Sequence, residues 1–188
     1  MNKKLRLLVT AECPRHCALC CNNRFDFDKI PIVENIGGYD EVSITGGEPM
    51  LFPMRTYKLI ESIRKSEEYT GKHTVIYIYT AQFPSVPDPD AIDIFRHLDG
   101  ICFTPHDERG VWDFVKLNNI VNFIKNDKIS LRLNIFQDVR PLFRKINGFR
   151  GTIEENYPKW MVKKMKWIKD CPVPEGEDFR RIKNLWVR

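Results

Sequence analysis

At 188 residues and a formal net charge of +5, the chain is long enough for one sizeable core and only mildly basic. That charge permits an acidic or phosphate-bearing partner without requiring one, and nothing in the composition singles out nucleic acid. No apolar run approaches the length of a membrane span, and the short apolar stretch behind the basic Met1-Asn2-Lys3-Lys4 reads as a first strand, not a signal peptide.

In chain order, Leu5–Thr10 has strand length, and a cysteine-rich loop follows it. Asp28–Ile36 reads as a helix ended by Gly37-Gly38, and Glu41–Thr45 as a second strand ending at Gly46-Gly47. Met54–Lys65 places Leu59, Ile60 and Ile63 at helical spacing. His73–Thr80, rich in β-branched and aromatic residues, is a third strand. The Pro-rich Phe83–Asp90 is a loop, with Asp90 placed to cap a helix over Ala91–Leu98. Gly100–Thr104 is a fourth strand, Val111–Lys125 a helix and Ile129–Phe136 an alternating fifth strand. Beyond Gln137 the pattern breaks. Arg150-Gly151-Thr152 is a turn, Pro158–Asp170 reads as a basic amphipathic helix that covers a sheet edge or, alternatively, grips an acidic partner or nucleic acid, and Asn184–Val187 as a last short strand. Strands alternating with helices predict βαβ units, a parallel sheet and an α/β fold. Residues 1–140 form the core of this reading and 141–188 an extension packed on the same domain.

Four of the six cysteines crowd between positions 13 and 21, which is ligand spacing and not a framework of distant disulfides. A reducing cytosol is the expected compartment. Cys13, Cys17 and Cys20 offer three thiolates in one short loop, enough for three corners of a [4Fe–4S] cluster with one iron left open. A structural zinc site is the competing reading, with His16 as a fourth ligand; closed zinc sites want four ligands, and a second cysteine pair is missing. Cys21 could stand in for Cys20. Asn22 and Asn23 suit a helix start after the loop. The two glycines of Thr45-Gly46-Gly47-Glu48-Pro49 let backbone approach a ligand closely, and Glu48 adds an anion suited to an ammonium group.

Cys13-x-x-x-Cys17-x-x-Cys20 after a first strand, with Gly46-Gly47-Glu48-Pro49 after a second, resembles the radical S-adenosylmethionine (radical SAM) superfamily over roughly the first 137 residues. The resemblance implies a partial (β/α) barrel of about five to six βα units, with the site at the C-terminal ends of the strands. It implies Cys13, Cys17 and Cys20 as cluster ligands and an open iron chelating SAM. One electron would cleave the sulfonium, and the 5′-deoxyadenosyl radical would abstract hydrogen from a substrate. Gly46, Gly47 and Glu48 would receive the methionine amino group. Leu19 stands where the family usually has an aromatic residue near the adenine, so a backbone contact is expected there. Thr80, Thr104, Arg132 and Asn134, at the ends of strands three to five, would contact the ribose or carboxylate of SAM. Arg132 and Asn134 share one face of their strand, either toward a polar interior or toward solvent. His106-Asp107-Glu108-Arg109 lies at the expected barrel mouth, as a substrate contact or a solvated loop, and Tyr77 and Tyr79 read as packing residues. The resemblance also implies an electron donor such as flavodoxin or ferredoxin. Cys20-x-Asn22 resembles the activators of glycyl-radical enzymes, whose substrate is a protein glycine. A 7-carboxy-7-deazaguanine synthase-like enzyme and a non-catalytic zinc or iron–sulfur module are the alternatives.

Overall fold

Large aliphatic residues alternate with polar or aromatic ones along the central strands, and the sheet they build has two unlike faces. The computed structural model describes residues 2–83, 89–124, 128–168 and 173–187. Its strands are β1 (Lys4–Thr10), β2 (Glu41–Thr45), β3 (Val75–Thr80), β4 (Gly100–Phe103), β5 (Ser130–Phe136), β6 (Met161–Met165) and β7 (Glu177–Trp186). They form one sheet in the order β6-β5-β4-β3-β2-β1-β7, and every pairing is parallel. Helices α1 (Pro53–Thr70), α2 (Pro89–Arg96) and α3 (Glu108–Ile124) connect β2 through β5, and a short α4 (Ile153–Asn156) precedes β6.

The register sends Leu5, Leu7 and Val9, with Ile44, Ile78, Phe103, Leu133 and Ile135, to the face covered by the helices. There they are buried against Ile60 and Ile63 of α1, Phe95 of α2 and Phe114 and Leu117 of α3. The opposite face carries Arg6, Ser43, Tyr77, Tyr79, Cys102, Arg132 and Asn134. Leu131, Leu133 and Ile135 fill the core, while Arg132 and Asn134 lie on the opposite, polar face, where Asn134 lines a pocket and not open solvent. Tyr77 and Tyr79 also turn to the polar face, where each ring carries a guanidinium, that of Arg132 and that of Arg6, at 4.9 Å from the ring centre. One pocket on this side touches residues from each of β1 to β6 or from the loops at their ends. In a flat sheet β1 and β6 would stand about 24 Å apart, at roughly 4.8 Å per strand spacing. Their shared pocket means that the sheet curls, an arrangement compatible with a partial β/α barrel.

Four expectations are corrected. Asp28–Ile36 is not a helix; a short 3₁₀ turn at Phe27–Lys29 leads into extended chain that bridges to β7 through Ile32 and Arg181. Pro31 explains this, because it disfavours helical backbone at Ile30 and removes a donor within the segment. Asp90 is the second residue of α2, which begins at Pro89, and not the residue before its start. Pro158–Asp170 is not a helix over its described part: Met161–Met165 pairs with Arg132–Phe136 as edge strand β6. Two methionines four apart fit both the helical and the strand period, and the free edge of β5 decides for the strand. Lysines 163 and 164 then guard the new edge. The last strand runs over ten residues, not four, because distant partners absorb its charges: Glu177 pairs with Arg6 at 2.6 Å, and Asp178 accepts from Tyr39. Among the described residues, no helix is long and apolar enough to cross a membrane.

Phe114 ties the segment after residue 140 to the core. Its ring lies 4.8 Å from Tyr157, 4.9 Å from Trp160 and 5.8 Å from both Phe103 and Phe143, centre to centre. Phe114→Ala should therefore cost about 3–5 kcal/mol in urea unfolding. A loss below about 1 kcal/mol would mean that this cluster does not hold the two parts together.

Candidate functional site

Between β1 and β2 the chain builds a loop instead of a helix, and the loop carries the thiols. Cys20 N–H donates to the Cys17 carbonyl at 3.1 Å, and a 3₁₀ turn follows at Cys21–Arg24. His16, at φ 46°, turns the backbone through the left-handed region between Cys13 and Cys17. The helix start expected at Asn22 and Asn23 is a 3₁₀ turn that begins at Cys21, so neither asparagine caps it. They lie within the 3₁₀ turn and bond backward: Asn23 Nδ2 donates to the carbonyls of Cys17 and Ala18, both at 3.2 Å, and Asn22 Nδ2 donates to the Gly46 carbonyl. Cys13, Cys17 and Cys20 form no disulfide and are half-buried. Burial, with the neighbouring thiols adding to it, pushes Cys17 up to about 11; burial likewise raises Cys13. The three sulfurs are thus within electrostatic reach of one another. Among the described residues, no three His, Cys, Asp or Glu side chains are grouped closely enough for a single metal ion. The Cys21 side chain and Cys171 lie outside the described residues, so the choice between Cys20 and Cys21 rests on Cys20 lining the site.

Arg15, inside the cysteine loop, is the anchor that the sequence did not announce. Its side chain is only 4 % exposed. Nη1 donates to Asp107 at 2.7 Å; Nη2 donates to Asp113 and to the Ala81 carbonyl, both at 2.8 Å. The guanidinium fastens the loop at once to the end of β3 and to α3. Asp107, expected at the barrel mouth as a substrate contact or a solvated residue, serves as one of these anchors, and Glu108 pairs with Lys145.

Gly46-Gly47 makes a close approach, but to the protein's own backbone. A Cβ on Gly46, at φ 123°, would stand 2.5 Å from the Thr10 carbonyl oxygen, and one on Gly47 would stand 1.9 Å from that of Glu12. Gly47 N–H donates to Thr10 O at 2.6 Å and Glu48 N–H to Glu12 O at 2.7 Å. The glycines let the ends of β1 and β2 close on each other, and this sets Glu48 beside the cysteine loop. Glu48 is 1 % exposed. Its carboxylate accepts from Thr80 Oγ1 at 2.6 Å, Ala81 N–H at 2.8 Å and Met50 N–H at 3.0 Å. Desolvation still outweighs these donors and raises its pKa to about 7.

Two adjoining pockets share the three cysteines. The outer, of about 470 Å³, is bounded by Glu12, Pro14, His16 and Asn22. The inner, of about 270 Å³, brings Cys13, Cys17 and Cys20 together with Leu19, Gly46, Gly47 and Glu48, and with Thr80, Thr104 and Asn134 at the strand ends. Leu19 is 48 % exposed and offers an aliphatic rim. Asn134 Nδ2 donates to Cys102 Sγ at 3.0 Å and to Thr104 Oγ1 at 3.3 Å. Arg132 does not line this pocket: it sits two residues further down β5, level with Cys102. Thr80 faces Glu48 and serves it as a hydrogen-bond donor. The inner pocket also gains His106, Phe136 and Trp167, with Phe136 and Trp167 stacked at 3.9 Å and 7°. The sequence places Trp167 in a basic helix, and only the pairing of β6 with β5 brings it to the pocket. A scan against protein-family models and a search of curated proteins match nothing to this chain.

The buried carboxyl gives a pH signature. The folded chain keeps on Glu48 a proton that the unfolded chain releases above 4.5. Its contribution to stability therefore falls as pH rises from about 4.5 to about 7 and is level beyond. Glu48→Gln cannot ionise, so its stability relative to the native chain should improve by about 3 kcal/mol across that window. Chemical denaturation of both proteins at several pH values measures this, and parallel curves would contradict it.

Proposed function

We propose that the chain is a radical SAM enzyme. The observation that carries this reading is the inner pocket, where three half-buried thiols and a buried carboxylate meet at the C-terminal ends of parallel strands. The donor set fits a [4Fe–4S] cluster. Three cysteines from one loop line one pocket, and a cluster takes its thiolates on separate irons. When bound, such a cluster supplies the single electron for reductive cleavage of SAM.

The protein's own residues would do the rest. Cys13, Cys17 and Cys20 would hold the cluster; the raised pKa values of Cys13 and Cys17 mean that loading releases protons. Arg15 would keep the loop in place through Asp107 and Asp113. Glu48 would receive the methionine ammonium. An adjacent cation offsets the desolvation of the carboxylate, so binding would hold Glu48 ionised at neutral pH. Asn134 makes its two hydrogen bonds through Nδ2, which leaves Oδ1 without a partner among the described residues and able to accept from a ribose hydroxyl. Leu19 would offer its backbone and an aliphatic edge to the adenine. Thiols that are half-exposed suit electron delivery by a small redox protein such as flavodoxin or ferredoxin.

Anaerobic reconstitution with iron and sulfide, reduction and addition of SAM should yield 5′-deoxyadenosine, measured chromatographically. Cys17→Ala should reduce it to background, and Cys21→Ala should retain both cluster absorbance and product. A cluster that is present and reducible but yields no 5′-deoxyadenosine would overturn the reading.

A further inference from the structure

In and beside the pocket, the polar face of the sheet gathers more positive than negative charge. Arg6, Arg132 and Lys163 all lie on it, by the register of β1, β5 and β6. Arg6 is satisfied by Glu177 at 2.6 Å. Among the described residues, no carboxylate pairs with Arg132 or Lys163. The three cations converge: each acts on the thiol of Cys102, on the strand between them, in the direction that favours its ionised form, although burial outweighs them. Like charges brought together on a partly dehydrated surface repel, and a bound anion relieves that repulsion.

The position of Arg132 is also prepared. A Cβ on Gly100 would stand 2.1 Å from Tyr77 Cε1, so the Tyr77 ring lies across the space that a side chain would occupy. The guanidinium of Arg132 rests over that ring, 4.9 Å from its centre. Its planar fork is thereby ordered before any ligand arrives, which lowers the entropy cost of binding. Along β5, Arg132 lies two residues below Asn134, and so about 7 Å deeper on that strand, level with Tyr79 of the pocket wall.

We propose that this face binds the oxyanion, a carboxylate or a phosphate, of a small substrate, with Arg132 as its principal contact and Lys163 as its second. Calling that ligand the substrate rests on the radical SAM reading; the anion site itself stands on the charges and their geometry. The assignment parts from the expectation that Arg132 contacts SAM, because along β5 the pocket beside the cysteines is lined by Asn134 and Phe136 and not by Arg132. It also favours a small molecule over a protein glycine.

The test uses the full reconstituted chain and calorimetric titration with benzoate as the carboxylate probe, phenyl phosphate as the phosphate probe and benzyl alcohol as the neutral control. At least one anion should bind while benzyl alcohol does not, and the stronger arm identifies the oxyanion. Arg132→Gln should weaken that anion by about tenfold or more. Lys163→Ala, at an exposed edge position, should weaken it about threefold. SAM affinity should stay within about twofold in both. The proposal is overturned if neither anion binds the native chain, if Arg132→Gln folds by circular dichroism yet binds the anion unchanged, or if SAM affinity falls with that of the anion. Should Arg132→Gln fail to fold, unchanged anion binding in Lys163→Ala overturns it. Because binding is read without turnover, absent 5′-deoxyadenosine sinks the enzyme reading and not the anion site, and the reverse result sinks only the site.

Discussion

The molecule depends on how closely the ends of its first two strands approach. Thr10 and Glu12 accept hydrogen bonds from Gly47 and Glu48 across a gap that no side chain could enter. Asn22, just after the cysteines, takes up the Gly46 carbonyl from the other side. A single backbone junction thus fixes both the start of the cysteine loop and the position of the buried carboxylate. Any Cβ at Gly47 would separate the two strand ends and with them the two halves of the site.

Around that junction, stability and function occupy opposite faces of one sheet. The aliphatic face, sealed by three helices, supplies the hydrophobic stabilisation. The polar face works against it. Glu48 is buried at a desolvation cost, Arg15 and Asp113 are an almost fully buried ion pair, and the cations around Cys102 outnumber the acid beside them. Such an arrangement persists because the surrounding core determines the fold and because each group has fixed donors or a ring to rest on. Groups held this way are ordered before a ligand arrives.

Features set by local period and spacing were legible in the sequence. Ile76-Tyr77-Ile78-Tyr79 showed a strand with two different faces, and Leu131 to Ile135 showed the same alternation around Arg132 and Asn134. The cysteine spacing and Gly-Gly-Glu identified residues that share one pocket. Long-range pairing was hidden. Arg15 carries no local signal, since its partners Asp107 and Asp113 are 92 and 98 residues away. Of β7 only the end, within Asn184–Val187, reads as a strand, because the partners of Glu177 and Asp178, Arg6 and Tyr39, are far away in the chain. Met161–Met165 fits two periods, and only the open edge of β5 chooses between them. The role of the glycines was also hidden, because a close approach to backbone and one to a ligand leave the same residues in the sequence.

If the cysteine loop and Glu48 serve one ligand in one pocket, a cluster held by the loop should sense SAM only while Glu48 is present. Electron paramagnetic resonance of the reduced, reconstituted chain, recorded with and without saturating SAM, tests this most directly. The cluster spectrum should change when SAM is added to the native chain and should not change in Glu48→Ala. A reducible cluster whose spectrum is indifferent to SAM in the native chain would contradict the shared site.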